Sequence, residues 1–197
     1  MIKLEIPIPE PKIRELRVGD TVLLSGLVVT ARDAGHKLMV EERPRFLDDL
    51  LREGVIYHCG PVVKQEGERW SFVAAGPTTS AREEPYQAKV IESYQVRGVI
   101  GKGGMGKKTT EAMDKYGAVY GAFTGGAAVL AANAVKNVKD VAWLDLGMPE
   151  AMWILEVEDF GPLVVAIDSF GKNLYRDVAE KVEQNKRGIF RSFGFSN

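Results

Sequence analysis

The chain has 197 residues, a length typical of one domain, and its 45% hydrophobic and 27% charged residues are the proportions of a globular protein. The net charge of −1 provides no global field for nucleic acid or a membrane surface, so we expect neither as a partner. The single cysteine excludes an internal disulfide and a cysteine-rich metal or iron–sulfur site within this chain, and it favours a reducing, cytoplasmic location.

The first third of the chain is predicted to be rich in β-strands. Alternating apolar positions predict a half-buried strand near residues 4–8, and the apolar, partly β-branched run at 21–30 predicts a second strand. Apolar residues at helical spacing predict a helix over 38–53, which Gly54 ends. Three short strands separated by turn residues follow, at 55–58, 62–63 and 70–75.

The rest of the chain alternates between helices and strands. The predicted helices occupy 86–97, 109–116, 127–138 and 174–186. The predicted strands occupy 99–100, 120–123, 141–146, 152–160 and 163–168. This order, without an internal repeat or a low-complexity linker, predicts a single α/β domain over 1–186. We expect residues 187–197 to be a C-terminal tail that docks on a partner or is flexible.

A glycine-rich segment at 101–106 invites comparison with phosphate-binding loops. Its glycine spacing is not that of the dinucleotide fingerprint, and Lys108 stands where a P-loop needs Ser or Thr for magnesium. Adjacent glycines still allow the backbone to approach an anion closely, and Lys102 adds a mobile positive charge. The alternative is a tight strand-to-helix turn with a solvated lysine.

The segment at 76–82 presents hydroxyls beside a permanent cation. Pro77 fixes one torsion, and Thr78 and Arg82 are four residues apart, which places them on one face of a helix that starts here. A guanidinium offers a planar fork to a carboxylate, and a neighbouring hydroxyl can bind substrate or move a proton. The alternative is that a threonine caps a helix and Arg82 is a surface charge.

Arg32, Asp33 and His36 follow the predicted strand at 21–30, where site residues of α/β folds lie. A salt-bridged loop is the alternative for this segment. His58 and Cys59 lie at a predicted strand end, and a lone buried thiol is usually a small hydrophobic residue. We therefore assign Cys59 no role as a nucleophile or cluster ligand.

Together these segments resemble the β subunit of two-subunit class I fumarases and L-tartrate dehydratases, and the C-terminal domain of their single-chain relatives. The resemblance covers nearly the whole chain. The matching segments are 30–36, 60–61, 76–82, 101–104, 125–128, 143–151 and 156–160.

The resemblance implies an α/β fold, a swivelling β/β/α domain with mixed sheets and flanking helices. It also implies a partner α subunit whose three cysteines hold a [4Fe-4S] cluster, with no metal ligand in the present chain. A heterotetramer of two αβ pairs is expected, and the chain is expected to be inactive without its α partner.

The resemblance further implies roles for individual residues. Arg32, Arg82 and Lys102 would bind the carboxylates of a small dicarboxylate substrate, and Thr78 would be the candidate base. Thr79, Gly103 and Gly104 would also belong to the substrate-binding residues. Asp33 and His36 would support the site.

The leading functional prediction is the β subunit of an iron–sulfur hydro-lyase that hydrates fumarate reversibly to L-malate. The first alternative is the β subunit of an L-tartrate dehydratase, which forms oxaloacetate from tartrate. The second is a non-catalytic swivel domain that binds an anion.

Overall fold

A computed structural model of the chain describes residues 1–67 and 69–193. The strands are β1 (Ile2–Glu5), β2 (Thr21–Thr30), β3 (Val55–Tyr57), β4 (Val62–Glu66), β5 (Arg69–Ala74), β6 (Gly98–Gly101), β7 (Val119–Ala122), β8 (Val135–Ala142) and β9 (Met152–Ile167). The helices are α1 (Glu10–Ile13), α2 (Asp33–Glu41), α3 (Leu47–Leu51), α4 (Glu84–Tyr94), α5 (Lys107–Tyr116), α6 (Ala128–Ala134) and α7 (Leu174–Ser192). None of these helices combines the length and the apolar character needed to span a membrane.

The main sheet is mixed and closes on itself. Strands β2, β3, β6 and β7 are neighbours and run parallel. Strand β9 runs antiparallel to both β7 and β2, which joins the two ends of the parallel set into a ring. Strand β1 pairs with β2, β8 pairs with β9, and β4 and β5 form a separate hairpin. The predicted α/β fold with mixed sheets and flanking helices is confirmed, whereas the swivelling motion stays a prediction.

The alternation of side chains along the parallel strands produces two apolar cores. One face of the strands contributes to the core inside the sheet, with Val28, Val55, Tyr57, Ile100 and Val119. The opposite face packs against the helices α2 to α5, with Val29, Ile56, Val99 and Tyr120. Both faces of these strands are therefore buried, as expected for parallel strands covered on each side.

Two predicted helices are shorter than their sequence patterns indicate. The helix predicted at 38–53 is divided into α2 and α3, since Arg43 leaves the helical range with φ +50° and the following Pro44 disfavours a helical residue before it. The helix predicted at 127–138 was wrong in its second half, since Val135 begins β8. The alanine-rich segment up to Ala134 is helical, but from Val135 onward pairing with β9 determines the structure.

The remaining differences lie mainly in the C-terminal half. The two strands predicted at 152–160 and 163–168 form the single strand β9, in which Gly161 adopts φ +150°. The strand predicted at 141–146 ends at Ala142, and α1 was not predicted. Helix α7 continues past the predicted end to Ser192, so the first part of the predicted tail is helical. Glu68, in a predicted turn, and residues 194–197 of the predicted tail lie outside the described residues.

Trp153 anchors the β4–β5 hairpin to the main sheet. Its side chain is fully buried in β9, and its indole N–H donates to the carbonyl of Met148 at 3.0 Å. The rings of Trp70 and Phe72 from β5 meet it edge-on, with centroids 5.1 and 5.7 Å away. Such edge-on pairs add to the free energy gained from apolar burial.

We predict that Trp153→Ala lowers the free energy of unfolding by about 3–5 kcal/mol, because it removes a large buried ring and leaves a cavity. Trp70→Ala, at a half-buried position on the other side of the same contact, is the matched control and should cost less. Urea unfolding of the two variants measures the difference. Equal losses would show that Trp153 is not the anchor.

Candidate active site

The predicted site segments meet at one edge of the parallel sheet. Arg32 and Asp33 follow the carboxyl end of β2, and Lys102 follows that of β6. Because β2, β3, β6 and β7 are parallel, their carboxyl ends share an edge, which is where ligands bind in open α/β sheets. The glycines at 125–126 follow β7 at the same edge.

The Thr78 segment is inserted between the extensions of β3 and β6. The amide of Thr78 donates to the carbonyl of His58 at 2.7 Å, and its carbonyl accepts from the amide of Lys102 at 3.3 Å. The amide of Ser80 donates back to the carbonyl of Lys102 at 2.9 Å. These backbone hydrogen bonds fix both threonines beside Lys102.

The predicted helix start lies slightly later than the threonines. A 3₁₀ turn at Ser80–Arg82 precedes α4, and Thr79 occupies its N-cap position without a capping hydrogen bond from its side chain. The alternative that this threonine is a helix cap therefore fails. Thr78 is half-buried and Thr79 is exposed, so both lie at the surface of the edge.

Arg82 forms an ion pair with Asp33, at the start of α2. Burial alone would raise the pKa of the Asp33 carboxyl, but hydrogen bonds from Arg82 and Glu83 outweigh burial and hold it below its ordinary value. The guanidinium is 50% exposed, so this pair orients Arg82 more than it stabilises the fold. The free N–H groups of the fork are available to a carboxylate from solvent.

Arg32 is held by Glu150, which sequence reasoning did not single out. Its Nη2 lies 3.2 Å from Glu150 Oε1, and Glu150 Oε2 accepts from the amide of Ala34 at 3.2 Å. The side chain of Arg32 lies directly over Gly60, where an added Cβ would come within 2.7 Å of Nη1. Gly60 is therefore needed for the observed position of Arg32.

Lys102 is exposed, and its ammonium lies beside Gly125, since an added Cβ on that glycine would be 3.7 Å from Nζ. Gly103 and Gly104 both adopt positive φ, near +80°, which favours glycine. Gly104 also packs under the ring of Tyr175, 2.4 Å from where its Cβ would stand. Gly104 is thus buried and has a packing role, whereas Gly103 is exposed at the edge.

The N-terminus of α5 is occupied by a carboxylate from the chain itself. Glu84 Oε2 accepts from the amide of Gly106 at 2.7 Å and from the hydroxyl of Thr109 at 2.8 Å. An internal anion therefore fills the position that a phosphate takes in a P-loop.

His36 is completely buried, so it does not touch a substrate and belongs to a buried polar chain. Gln87 Oε1 lies 2.9 Å from His36 Nε2 and 2.8 Å from His58 Nε2. His58 Nδ1 lies 2.8 Å from Ser80 Oγ, which lies 3.0 Å from the hydroxyl of Tyr120. The chain therefore ends directly beneath the turn that follows the threonines.

The protonation of this chain follows from its partners. Burial lowers the pKa of His36, and burial with the neighbouring His36 ring lowers that of His58 to about 3, so both rings are neutral. His36 Nδ1 must donate to the carbonyl of Arg32, at 2.9 Å, and its Nε2 must accept. Two accepting Nε2 atoms require the Gln87 amide to be assigned in the opposite orientation, with its NH₂ in place of Oε1 toward both rings, and His58 then donates from Nδ1 to Ser80.

The other buried groups at this edge offer no metal site. Burial raises the pKa of the Cys59 thiol to about 12, which keeps it protonated. Within residues 1–67 and 69–193, no group of three or more His, Cys, Asp or Glu side chains is arranged to hold a metal ion.

Comparison with known proteins identifies the family. The fumarase C-terminus family matches residues 1–178. The chain belongs to this family. It is 47% identical over 196 residues to a Geobacillus stearothermophilus protein named "Putative fumarate hydratase class I", covering 96% of this chain and 37% of that protein.

Two-subunit relatives match over most of their own length. The chain is 44% identical over 172 residues to the L(+)-tartrate dehydratase subunit beta of Escherichia coli K12, covering 87% of this chain and 85% of the relative. It is 45% identical over 173 residues to a Methanocaldococcus jannaschii protein named "Putative L(+)-tartrate dehydratase subunit beta", covering 86% and 89%. The chain thus spans about a third of the first relative and most of the other two.

We predict that His58 makes the fold sensitive to mild acid. Its folded pKa of about 3 lies below the ordinary value of 6.5, so below pH 6.5 the unfolded chain binds one more proton at this site. The free energy of unfolding then falls by about 1.4 kcal/mol per pH unit from this group. His58→Gln should lack this contribution between pH 6.5 and 5.

Urea unfolding of both proteins across that window checks the prediction. Glu83, whose raised pKa gives the opposite slope, is present in both chains and cancels in the comparison. Identical pH slopes for the two proteins would show that His58 is not held neutral by the fold.

Proposed function

We propose that this chain is the β subunit of an iron–sulfur hydro-lyase that interconverts fumarate and L-malate with a separate α subunit. Membership of the fumarase C-terminus family and 47% identity to the Geobacillus protein support the reaction class. The names of the E. coli and M. jannaschii relatives, both beta subunits, support an α partner and an αβ assembly, which we expect to contain two αβ pairs.

The observation that carries this proposal is that the Thr78 segment and the cations Arg32, Arg82 and Lys102 meet at one edge of the parallel sheet. Arg32 and Arg82 are each oriented by a carboxylate, and the Thr78 segment is hydrogen-bonded to Lys102. The edge is open, since Thr79, Arg82 and Lys102 are exposed. A dicarboxylate matches these cations in charge, and a second polypeptide can cover it from the open side.

The residues of this chain do not fit an iron–sulfur cluster. Its one cysteine is buried, and burial keeps the thiol protonated, whereas a cluster ligand must be a thiolate. In the proposal the [4Fe-4S] cluster implied by the family is therefore held by the α subunit.

The cations can stabilise the charge that develops during proton removal. When a proton leaves the carbon next to a carboxylate, negative charge builds on the carboxylate oxygens. Donors already oriented by carboxylates, Arg32 and Arg82, stabilise that charge with little reorganisation at the moment of reaction, and the exposed Lys102 adds a third positive charge. Thr78 is the candidate base in this chain, but a hydroxyl is a weak base and needs a neighbouring acceptor. We assign that acceptor to the α subunit.

The second candidate is an L-tartrate dehydratase β subunit. It is favoured by the extent of the match, because the chain covers 85% of the E. coli subunit and 37% of the Geobacillus protein. Both candidates need the same cationic edge. Their hydroxy-acid substrates, malate and tartrate, differ by one hydroxyl group. The third alternative, an anion-binding domain without catalysis, is disfavoured by the identity to relatives named as a hydratase and a dehydratase.

The proposal is tested by reconstitution with the α subunit under anaerobic conditions. The αβ complex should hydrate fumarate, and the present chain alone should not. A substrate panel with fumarate, L-malate and tartrate then decides between the two hydro-lyases. Hydratase activity of the purified chain alone, or none with any of these acids in a loaded complex, would contradict the proposal.

We predict that Lys102→Ala reduces kcat/KM of the complex by about 10- to 100-fold, since it removes a charge-assisted hydrogen bond. Lys107→Ala is the matched control, because Lys107 is exposed near the same loop and pairs with Glu111. Steady-state kinetics and thermal unfolding of both variants separate a site effect from a folding defect. Unchanged kinetics for Lys102→Ala would remove this residue from the site.

A further inference from the structure

Glu83 is a buried acid that the proposed chemistry does not use. It follows Arg82 directly and occupies the N-cap position of α4, and it is fully buried. Neither of its carboxyl oxygens meets an N–H or hydroxyl donor among the described residues. An ionised carboxylate buried in this way would be strongly unfavourable, so the group needs a proton or a partner.

Asp33 has a buried carboxyl oxygen that needs a donor. Its Oδ1 is also buried without an N–H or hydroxyl donor, while its Oδ2 accepts from Arg82. The two carboxyl groups, at the start of α2 and the start of α4, are close enough that each shifts the pKa of the other. If the two carboxyl groups share one proton, a single O–H···O hydrogen bond gives each of them a partner.

The surroundings decide which of the two acids holds the proton. Burial, and after it the nearby Asp33, raise the pKa of Glu83 to about 8. Asp33 is half-exposed and bound to Arg82, and its pKa lies below the ordinary value. The nearby charges are Arg82 on the same turn and the Arg32–Glu150 pair on the other side of Asp33, while His36 on α2 is neutral.

We propose that Glu83 is a positioning residue, a neutral carboxylic acid that donates to Asp33 Oδ1 and thereby directs Asp33 Oδ2 to the Arg82 guanidinium. Arg82 then donates to Asp33 from one of its guanidinium nitrogens, and its remaining N–H groups are free to bind a substrate carboxylate from the solvent side. This inference rests on the proposed function only for the identity of the ligand. The carboxyl pair itself is a property of the chain.

Loss of the Glu83 proton should weaken the Asp33–Arg82 ion pair that orients Arg82. Two adjacent anionic carboxylates repel each other, and the ionised Glu83 competes with Asp33 for the Arg82 guanidinium. The orientation of Arg82 is then lost. Because the competent form is the protonated one, the apparent affinity for the dicarboxylate should fall in proportion to that fraction, about tenfold between pH 7 and pH 9.

Glu83→Gln separates this role from a merely structural one. The amide keeps a donor for Asp33 Oδ1 and nearly the same shape, but it does not titrate. Glu83→Ala removes the donor altogether. Glu92→Gln is the matched control, since Glu92 lies on the same helix but is exposed and pairs with Lys89.

The first experiment uses the chain without its partner, by NMR of the side-chain carboxyl groups and of the Arg82 guanidinium as pH is raised. We expect one carboxylic acid that titrates near pH 8, with an Arg82 shift that follows it. Both changes should be absent in Glu83→Gln and present in Glu92→Gln. An Arg82 signal that is independent of pH in the wild-type chain would overturn the proposal.

The second experiment measures KM and kcat of the αβ complex for fumarate from pH 6.5 to 9.5. The wild-type KM should rise above pH 8, Glu83→Gln should keep a flat KM, and Glu83→Ala should raise KM at every pH with a smaller change in kcat. A Glu83→Gln profile that matches the wild type would overturn the proposal. If the wild-type complex hydrates nothing, the proposed function fails, and the NMR titration still decides the role of Glu83.

Discussion

The site depends on the backbone hydrogen bond by which the amide of Thr78 joins the carbonyl of His58. This bond inserts the Thr78 segment between the extensions of β3 and β6, where its carbonyl and the amide of Ser80 are also paired. Buried backbone groups need partners, so the segment has little freedom to move without breaking several bonds together. The polar chain from His36 to Tyr120 fills the space beneath it, and Gly101 leaves room for that chain, since an added Cβ there would lie 1.9 Å from Ser80 Oγ.

Charge compensation shapes the same edge. Arg82 and Arg32 each have a carboxylate that orients them, Asp33 and Glu150 respectively. Of the three cations at this edge, Lys102 is the one for which the described residues provide no ion-pair partner. The edge therefore balances part of its own charge and still presents donors for an anion. Glu83 fits the same pattern, because a protonated acid orients Asp33 without adding a second negative charge.

Local sequence patterns predicted much of the fold, but not the element boundaries that are determined by contacts between distant segments. Strand β2 matches the predicted range because its β-branched run is long, and α5 ends at the predicted residue 116 because the following Gly117 adopts positive φ. The start of β8 could not be read from its alanine-rich neighbourhood, since pairing with β9 determines it.

The site divides in the same way. Arg32, Thr78, Arg82 and Lys102 were singled out because each lies in a recognisable motif. Glu83, Gln87 and Glu150 were missed because their partners are far away in sequence, such as Gln87 and His36, 51 residues apart. The only sequence signal was that Glu83 and Gln87 are four residues apart next to Arg82, and this spacing alone does not indicate burial.

The most direct test is a crystal structure of the αβ complex with a bound dicarboxylate. The account predicts carboxylate oxygens at about 3 Å from the guanidinium nitrogens of Arg82 and from Lys102 Nζ, with the Thr78 hydroxyl facing the ligand. A dicarboxylate bound in the complex with neither of these cations within hydrogen-bonding distance would contradict it.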